Sequence, residues 1–277
     1  MGKKTLIIVL VFLLSALYQG CAAKKHDGAA GFSYLIQESK AMSEQMAGSI
    51  TEQKNNGSQN HGEKIPYCEM TVNPENKSGG AASDRKKVYL TFDDGPDGVV
   101  TPLILDTLDS YGIKATFFVV GTQIEKYPEV LQDMFERGHS IGNHTYSHRY
   151  NDIYSGRDSF MESIRRNEEI IFHLTGNRPK IFRDPGGSVR NSESAKSFLA
   201  DNGYQLINWN VESYDSRKPR LPASEIIEKI RQQTLKEEVW SEMVIIMHDG
   251  TGHIATARAL PTIIHMLQNQ GFQFEAF

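Results

Sequence analysis

From residue 87 to its end, this 277-residue chain alternates short apolar runs with longer amphipathic ones, and no other feature constrains its fold as strongly. Strand-like runs cover 88–92, 115–119, 140–142, 181–182, 205–209, 243–247 and 272–274. Helical patterns cover 101–111, 128–137, 159–174, 192–202, 223–234 and 257–269. In the 159–174 pattern Ile164, Ile170, Ile171 and Leu174 share one side. Strands joined through helices predict a parallel sheet with crossover helices, hence an α/β fold. In the barrel form of that architecture, reactive side chains gather where strands end.

The polar residues of interest fall at such ends. TFDDGP at 91–96 places Asp93 and Asp94 where Gly95-Pro96 terminates an apolar run. HTYSH carries His144 and His148, four apart. Arg183 lies in RDPGG, Asp215 in VESYD and His248 in IIMHD. Two imidazoles and one carboxylate make a three-ligand metal site with open positions, and Asp94, His144 and His148 supply that set. The spacing lets both histidines face one point if the backbone turns between them. Neighbours on a strand point to opposite faces, so Asp93 does not easily join Asp94 on an ion. At the strand end, however, the turn can swing Asp93 toward a water molecule. Asp93 is then left as a base, and His248, with a pKa range near neutrality, as an acid. These are the parts of a metal-dependent hydrolase. Singly, each has a commoner explanation: HxxxH pairs sit in solvated loops, and Asp before Gly-Pro caps turns.

The five motifs, in this order over 87–277, resemble the polysaccharide deacetylases, that is, the NodB-homology domains or family-four carbohydrate esterases. The resemblance implies a distorted (β/α) barrel with a metal at the strand C-termini. It implies removal of acetyl groups, usually N-acetyl, from an amino-sugar polymer. It assigns Asp93 as general base, Arg183 as its partner, His248 as the acid that protonates the leaving amine, and Asp215 as the carboxylate orienting His248. The Gly186 N–H would donate to the oxyanion. Ile246 would line the acetyl pocket, with plain strand packing the equal alternative. Two departures touch the sugar groove. The arginine motif, often R-x-P-Tyr, reads Arg183-Asp184-Pro185-Gly186 and loses an aromatic wall. The motif that often ends Asp-Trp has Ser216 after Asp215. Trp209, nearby, is either a substrate platform or a core residue. Peptidoglycan is the expected substrate, through N-acetylglucosamine or N-acetylmuramic acid, with chitin-type oligomers next. An O-acetyl esterase acting on a polymer such as xylan is the alternative within the fold. A non-catalytic wall-binding module is the alternative outside it, and that reading predicts loss of at least one of the five metal, base and acid residues. The donor set suits Zn2+ first, and Co2+, Ni2+ or Mn2+ otherwise.

Residues 1–23 read as a targeting segment, with Lys3 and Lys4 ahead of the apolar run LIIVLVFLLSAL at 6–17. Gly20-Cys21-Ala22 resembles a lipoprotein cleavage site, after which Cys21 would carry lipid. Tyr18 stands where Leu is usual, and ordinary cleavage or a retained membrane anchor are the other outcomes. Residues 24–84 hold few large apolar side chains and read as a flexible tether, with a short amphipathic pattern at 32–50. The expected organisation is therefore signal or anchor (1–23), tether (24–84) and catalytic domain (85–277), with the domain outside the cytoplasm. A net charge of −4 argues against nucleic acid as a partner. Two cysteines, Cys21 and Cys68, provide no disulfide framework, and the absence of CxxC excludes a thiolate zinc site.

Overall fold

The computed structural model describes residues 86–189 and 192–277. The expectations for the N-terminal segment, the tether, Cys21 and Cys68 lie outside the described residues. Among the described residues, no helix is long and apolar enough to cross a membrane.

Eight parallel strands form one curled sheet: β1 Lys87–Asp93, β2 Thr116–Val119, β3 Ser140–Asn143, β4 Ile181–Phe182, β5 Gln205–Leu206, β6 Val211–Glu212, β7 Met243–His248 and β8 Gln273–Glu275. Their hydrogen-bonded order is β5-β4-β3-β2-β1-β7-β6. β8 pairs with Lys87–Tyr89 on the edge of β1 that β2 occupies from Thr91 onward. β5 and β6 end the sheet and do not pair with each other, so the (β/α) barrel is open along one seam. The helices are α1 Val100–Ser110, α2 Gly121–Ile124, α3 Pro128–Glu136, α4 Tyr150–Ile153, α5 Arg157–Thr175, α6 Glu193–Asp201, α7 Ala223–Thr234 and α8 Ile254–Asn269.

The strand alternation divides the side chains cleanly. Val88, Leu90 and Phe92 of β1, with Met243, Ile245 and Met247 of β7, face outward. There they pack against Ile104 and Leu108 of α1, Ile227 and Ile230 of α7, and Leu260 and Ile264 of α8. Full burial of each large apolar side chain is worth ~1.5–3 kcal/mol. Thr91, Asp93, Ile246 and His248 therefore face the barrel interior. A smaller cluster, including Phe160, Ile164, Phe182 and Leu199, seats α5 and α6 against β4.

Most expected elements lie within a few residues of those observed. The run 205–209 does not: only Gln205–Leu206 is strand, and the chain then crosses the open seam to form the unforeseen β6. Asn210 makes that crossing possible. Its amide nitrogen donates to Glu242 O (2.7 Å) and its amide oxygen accepts from Val244 N–H (2.8 Å), docking the segment onto β7. The four-residue helices α2 and α4 were also unforeseen, being too short to show a period.

Candidate active site

The parallel register of β1 with β7 places Asp93 opposite His248, so two motifs about 150 residues apart meet at adjacent strand ends. Asp93 stays in the strand and points inward. The next residue makes the turn: Asp94 takes a left-handed φ of 76°, which brings its carboxylate back over the barrel mouth. The sequence expectation had Asp93 swinging; the structure turns Asp94 instead. The loop is held from the far side by Asp249, whose Oδ1 accepts the Gly95 N–H (3.1 Å) and whose Oδ2 accepts from Thr101 Oγ1 (2.7 Å). A Cβ at position 95 would lie 2.1 Å from Asp249 Oδ2, so only glycine fits there. Asp97 forms the turn that leads into α1, accepting from the N–H groups of Val99 (2.9 Å) and Val100 (2.8 Å), while its own N–H donates to Thr101 Oγ1 (2.8 Å).

The HTYSH segment is a loop. His144 extends β3, and left-handed φ values at Thr145 (70°) and His148 (54°) fold the chain so that both rings converge, with centroids 5.0 Å apart. Buried amides pay for this backbone strain. Asn143 Oδ1 accepts from Thr145 N–H (2.9 Å) and from Asn167 Nδ2 (3.0 Å), tying the loop to α5. The N-terminus of α2 donates into the same loop, from Gly121 N to Thr145 O (3.1 Å) and from Thr122 N to Tyr146 O (2.8 Å).

One candidate donor atom each from Asp94, His144 and His148 lies within 4.8 Å of the others. Asp94 Oδ1 is 3.6 Å from His144 Nε2 and 3.2 Å from His148 Nε2. Bonds of ~2.1 Å to one ion set ligand separations of ~3.0–4.2 Å, so these donors fit a divalent cation. His144 Nδ1 hydrogen-bonds the Arg183 carbonyl (2.8 Å), which fixes the tautomer that leaves Nε2 free to coordinate. Burial works against ionisation of Asp94, but the hydrogen bond from His144 and the surrounding imidazoles outweigh it and hold the carboxyl well below its usual range. His148 is pushed down by burial and by the neighbouring His144. The cluster thus offers an anionic carboxylate and, at His148, a neutral imidazole; at His144 burial is outweighed by the Asp93 and Asp94 carboxylates, which favour a proton on the ring, whose place at Nε2 a bound cation would take.

Arg183 is fully buried inside the barrel. It donates to Asp93 Oδ1 (2.9 Å) and Thr91 Oγ1 (2.6 Å) of β1 on one side, and to Ile207 O (3.2 Å), just past the neighbouring strand β5, on the other. Its guanidinium lies over the Phe118 ring at 4.2 Å. Removing one partner of so buried a pair costs ~3–5 kcal/mol. On the other flank, His248 Nδ1 donates to Asp215 Oδ1 (2.7 Å). Asp215 is itself fixed by Ser213 Oγ (2.8 Å), Thr256 Oγ1 (2.7 Å) and the His248 backbone N–H (2.9 Å). Although burial opposes its charge, this carboxylate pushes His248 up to about 9.

The remaining expected residues fall in three places. Gly186 lies exposed in a 3-10 turn, Pro185–Gly187, directly after Arg183. Ile246 is buried in β7 beside Thr91, two residues before His248. Trp209 sits in the seam crossing, its ring 5.7 Å from the Arg183 guanidinium, and lines a cavity with Glu242 and Phe277 toward the N-terminal end of β7. Sequence reasoning missed Thr91, Asp249 and Tyr150. Thr91 could have been found, because a polar residue two before Asp93 shares its inward face. Asp249 shows no signal beyond adjacency to His248.

The profile described as Polysaccharide deacetylase matches residues 80–207. A peptidoglycan-N-acetylglucosamine deacetylase of Bacillus cereus is 30% identical over 213 residues, covering 76% of this chain and 76% of that protein. The Bc1960 peptidoglycan N-acetylglucosamine deacetylase, solved with 4-naphthalen-1-yl-N-oxidanyl-benzamide, is 33% identical with a TM-score of 0.63, over 70% of this chain and 87% of that one. The catalytic domain of the Eubacterium rectale peptidoglycan N-acetylglucosamine deacetylase is 30% identical with a TM-score of 0.63, over 71% of this chain and 93% of that one.

Proposed function

Because the chain belongs to the polysaccharide deacetylase family, we propose that it removes the N-acetyl group from N-acetylglucosamine units of peptidoglycan, with residues 85–277 as the catalytic domain. It is a hydrolase of carbon–nitrogen bonds other than peptide bonds. The observation that carries the reading is the convergence at one barrel mouth of a three-donor cluster with two carboxylate pairs, Asp93–Arg183 and Asp215–His248.

Asp94, His144 and His148 would hold the cation, which we take to be zinc. When bound it supplies Lewis acidity that polarises the acetyl carbonyl and acidifies water. Asp93, kept in place by Arg183 and Thr91, takes the proton from the attacking water. The Gly186 N–H donates to the oxygen that gains charge. His248, held protonated by Asp215, gives its proton to the departing amine, without which the carbon–nitrogen bond does not break. Ile246 lines the acetyl pocket, whereas Trp209, beside the Arg183 guanidinium on a cavity toward the other end of β7, backs the arginine instead of forming the sugar groove. The N-terminal segment, through lipid on Cys21, would keep the domain at the outer membrane surface next to the wall. Chitin-type oligomers carry the same acetamide and are the second substrate class.

Incubation of zinc-loaded protein with muropeptides and chito-oligomers, followed by mass spectrometry, tests the reading. Loss of acetyl groups that a chelator abolishes is the expected result. Metal-loaded protein that releases no acetate from any acetylated amino sugar would overturn it. Within the site, Asp94→Ala abolishes both zinc uptake and turnover, whereas Asp93→Asn retains zinc and loses turnover.

A further inference from the structure

Tyr150 opens α4, two residues beyond His148. Its side chain is 48% exposed, among the few large apolar groups left open in the described residues. Yet the ring is fixed. One edge meets the His148 ring at 5.9 Å and 86°, and the other side leans on Tyr154 at 5.9 Å and 40°. Tyr154 donates its hydroxyl to Asp184, which also accepts the Val189 N–H (2.7 Å) and precedes the turn that carries Gly186. These bonds clamp α4 to the arginine loop, and Tyr150 stands at the junction.

Gly186 is shaped around this phenol. It has a left-handed φ of 66°, and a Cβ there would lie 2.2 Å from the Tyr150 hydroxyl oxygen. The hydroxyl therefore occupies the space that any side chain at 186 would need. Among the described residues no group accepts a hydrogen bond from it. A held aromatic face with an unspent O–H, set between a metal-ligand imidazole and an exposed backbone turn, matches one ligand chemistry well. A pyranose offers an apolar C–H face to cover the ring and hydroxyl oxygens to take the proton.

We propose that Tyr150 is a substrate-binding residue. Its ring forms the sugar-site wall beside the metal ligands, and its hydroxyl donates to an oxygen of the amino sugar that loses its acetyl group. This deepens the deacetylase reading and rests on it for the identity of the sugar. It also accounts for the absence of a side chain at Gly186: the aromatic wall is supplied from α4 instead of from the arginine loop.

The test measures chitopentaose binding by calorimetry to the zinc-loaded full chain carrying Asp93→Asn, alone and with Tyr150→Ala or Tyr150→Phe. Tyr150→Ala is expected to weaken binding about tenfold and Tyr150→Phe about threefold, the worth of a ring stack and of one hydrogen bond. Zinc affinity should stay within about twofold. With Asp93 intact, Tyr150→Ala should raise KM for the oligomer about tenfold while leaving turnover of nitrophenyl acetate, which has no sugar, unchanged. Unaltered oligomer binding in Tyr150→Ala would overturn the proposal. So would a parallel loss of zinc affinity or nitrophenyl acetate turnover, which would make Tyr150 a prop for His148. Absence of acetate release by the unsubstituted chain, with Tyr150-dependent sugar binding intact, would sink the deacetylase reading and leave this one standing.

Discussion

Arg183 illustrates how one side chain serves both fold and chemistry. Its guanidinium is satisfied by Thr91, Asp93 and the Ile207 carbonyl, so the charge that orients the base also braces the barrel interior. Thr91→Val deletes one of those acceptors while preserving shape. It is expected to cost ~1–3 kcal/mol in denaturant unfolding and to lower kcat more than it raises KM, since a buried donor is left unpaired next to Asp93. Equal kcat in the variant would show that Asp93 is positioned without it. His248 gives a pH prediction. Its pKa rises from 6.5 in the unfolded chain to about 9, so the Asp215 pair contributes stability that is complete below about 6.5 and lost as pH climbs through about 9. A cation neutralises the nearby Asp94 charge, so in the loaded enzyme the basic limb of kcat/KM lies below about 9. Asp215→Asn is expected to move that limb further toward about 6.5; a limb that stays put would remove His248 from the acid role.

At the scale of elements, the site depends on how loops are pinned to one another. Asp249 ties the β1–α1 loop to the end of β7, and burial together with the Asp94 and Asp93 charges pushes its carboxyl up to about 7. A carboxyl raised in the folded state binds more protons than it does unfolded, so it contributes stability at low pH that is lost as pH rises toward about 7. Asp249→Asn in the metal-free protein should flatten that decline, readable as Tm against pH. Gly95→Ala drives a methyl into Asp249 and is expected to cost ~1–3 kcal/mol and to weaken zinc binding, measurable by calorimetry. The strands and long helices were legible because each carries a clean period, as in Val88, Leu90 and Phe92. The crossing at 208–210 was not. Trp209 continues the apolar pattern of β5, and Asn210, whose side chain and backbone N–H bond residues more than thirty positions away, redirects the chain. Likewise HTYSH shows two histidines but not the left-handed Thr145 and His148 that make them converge.

The described residues form a barrel open at one seam, with Arg183 bracing its interior between β1 and the end of β5, and with a mouth that collects charge. Binding of zinc to the folded state alone should raise stability by ~2.7 kcal/mol at a hundredfold excess over Kd, or ~5–10 °C in Tm for a domain of this size. A chelator that leaves Tm unchanged would exclude the three-donor site. Residues 85–277 expressed alone should keep the fold and the acetyl-releasing activity, since the described core and both carboxylate pairs lie within that span. The amino-acid order by itself determined the α/β class, because periodicity is a local property, and it put the candidate donors, base and acid at strand ends; the roles proposed for them rest on residue chemistry together with the family resemblance. Only the tertiary structure decided which of Asp93 and Asp94 turns, that Arg183 lies within the barrel, that β5 and β6 part at a seam, and that Tyr150 fills the space over Gly186. Each of those depends on contacts between segments far apart in the chain, where packing and hydrogen-bond satisfaction override the local pattern.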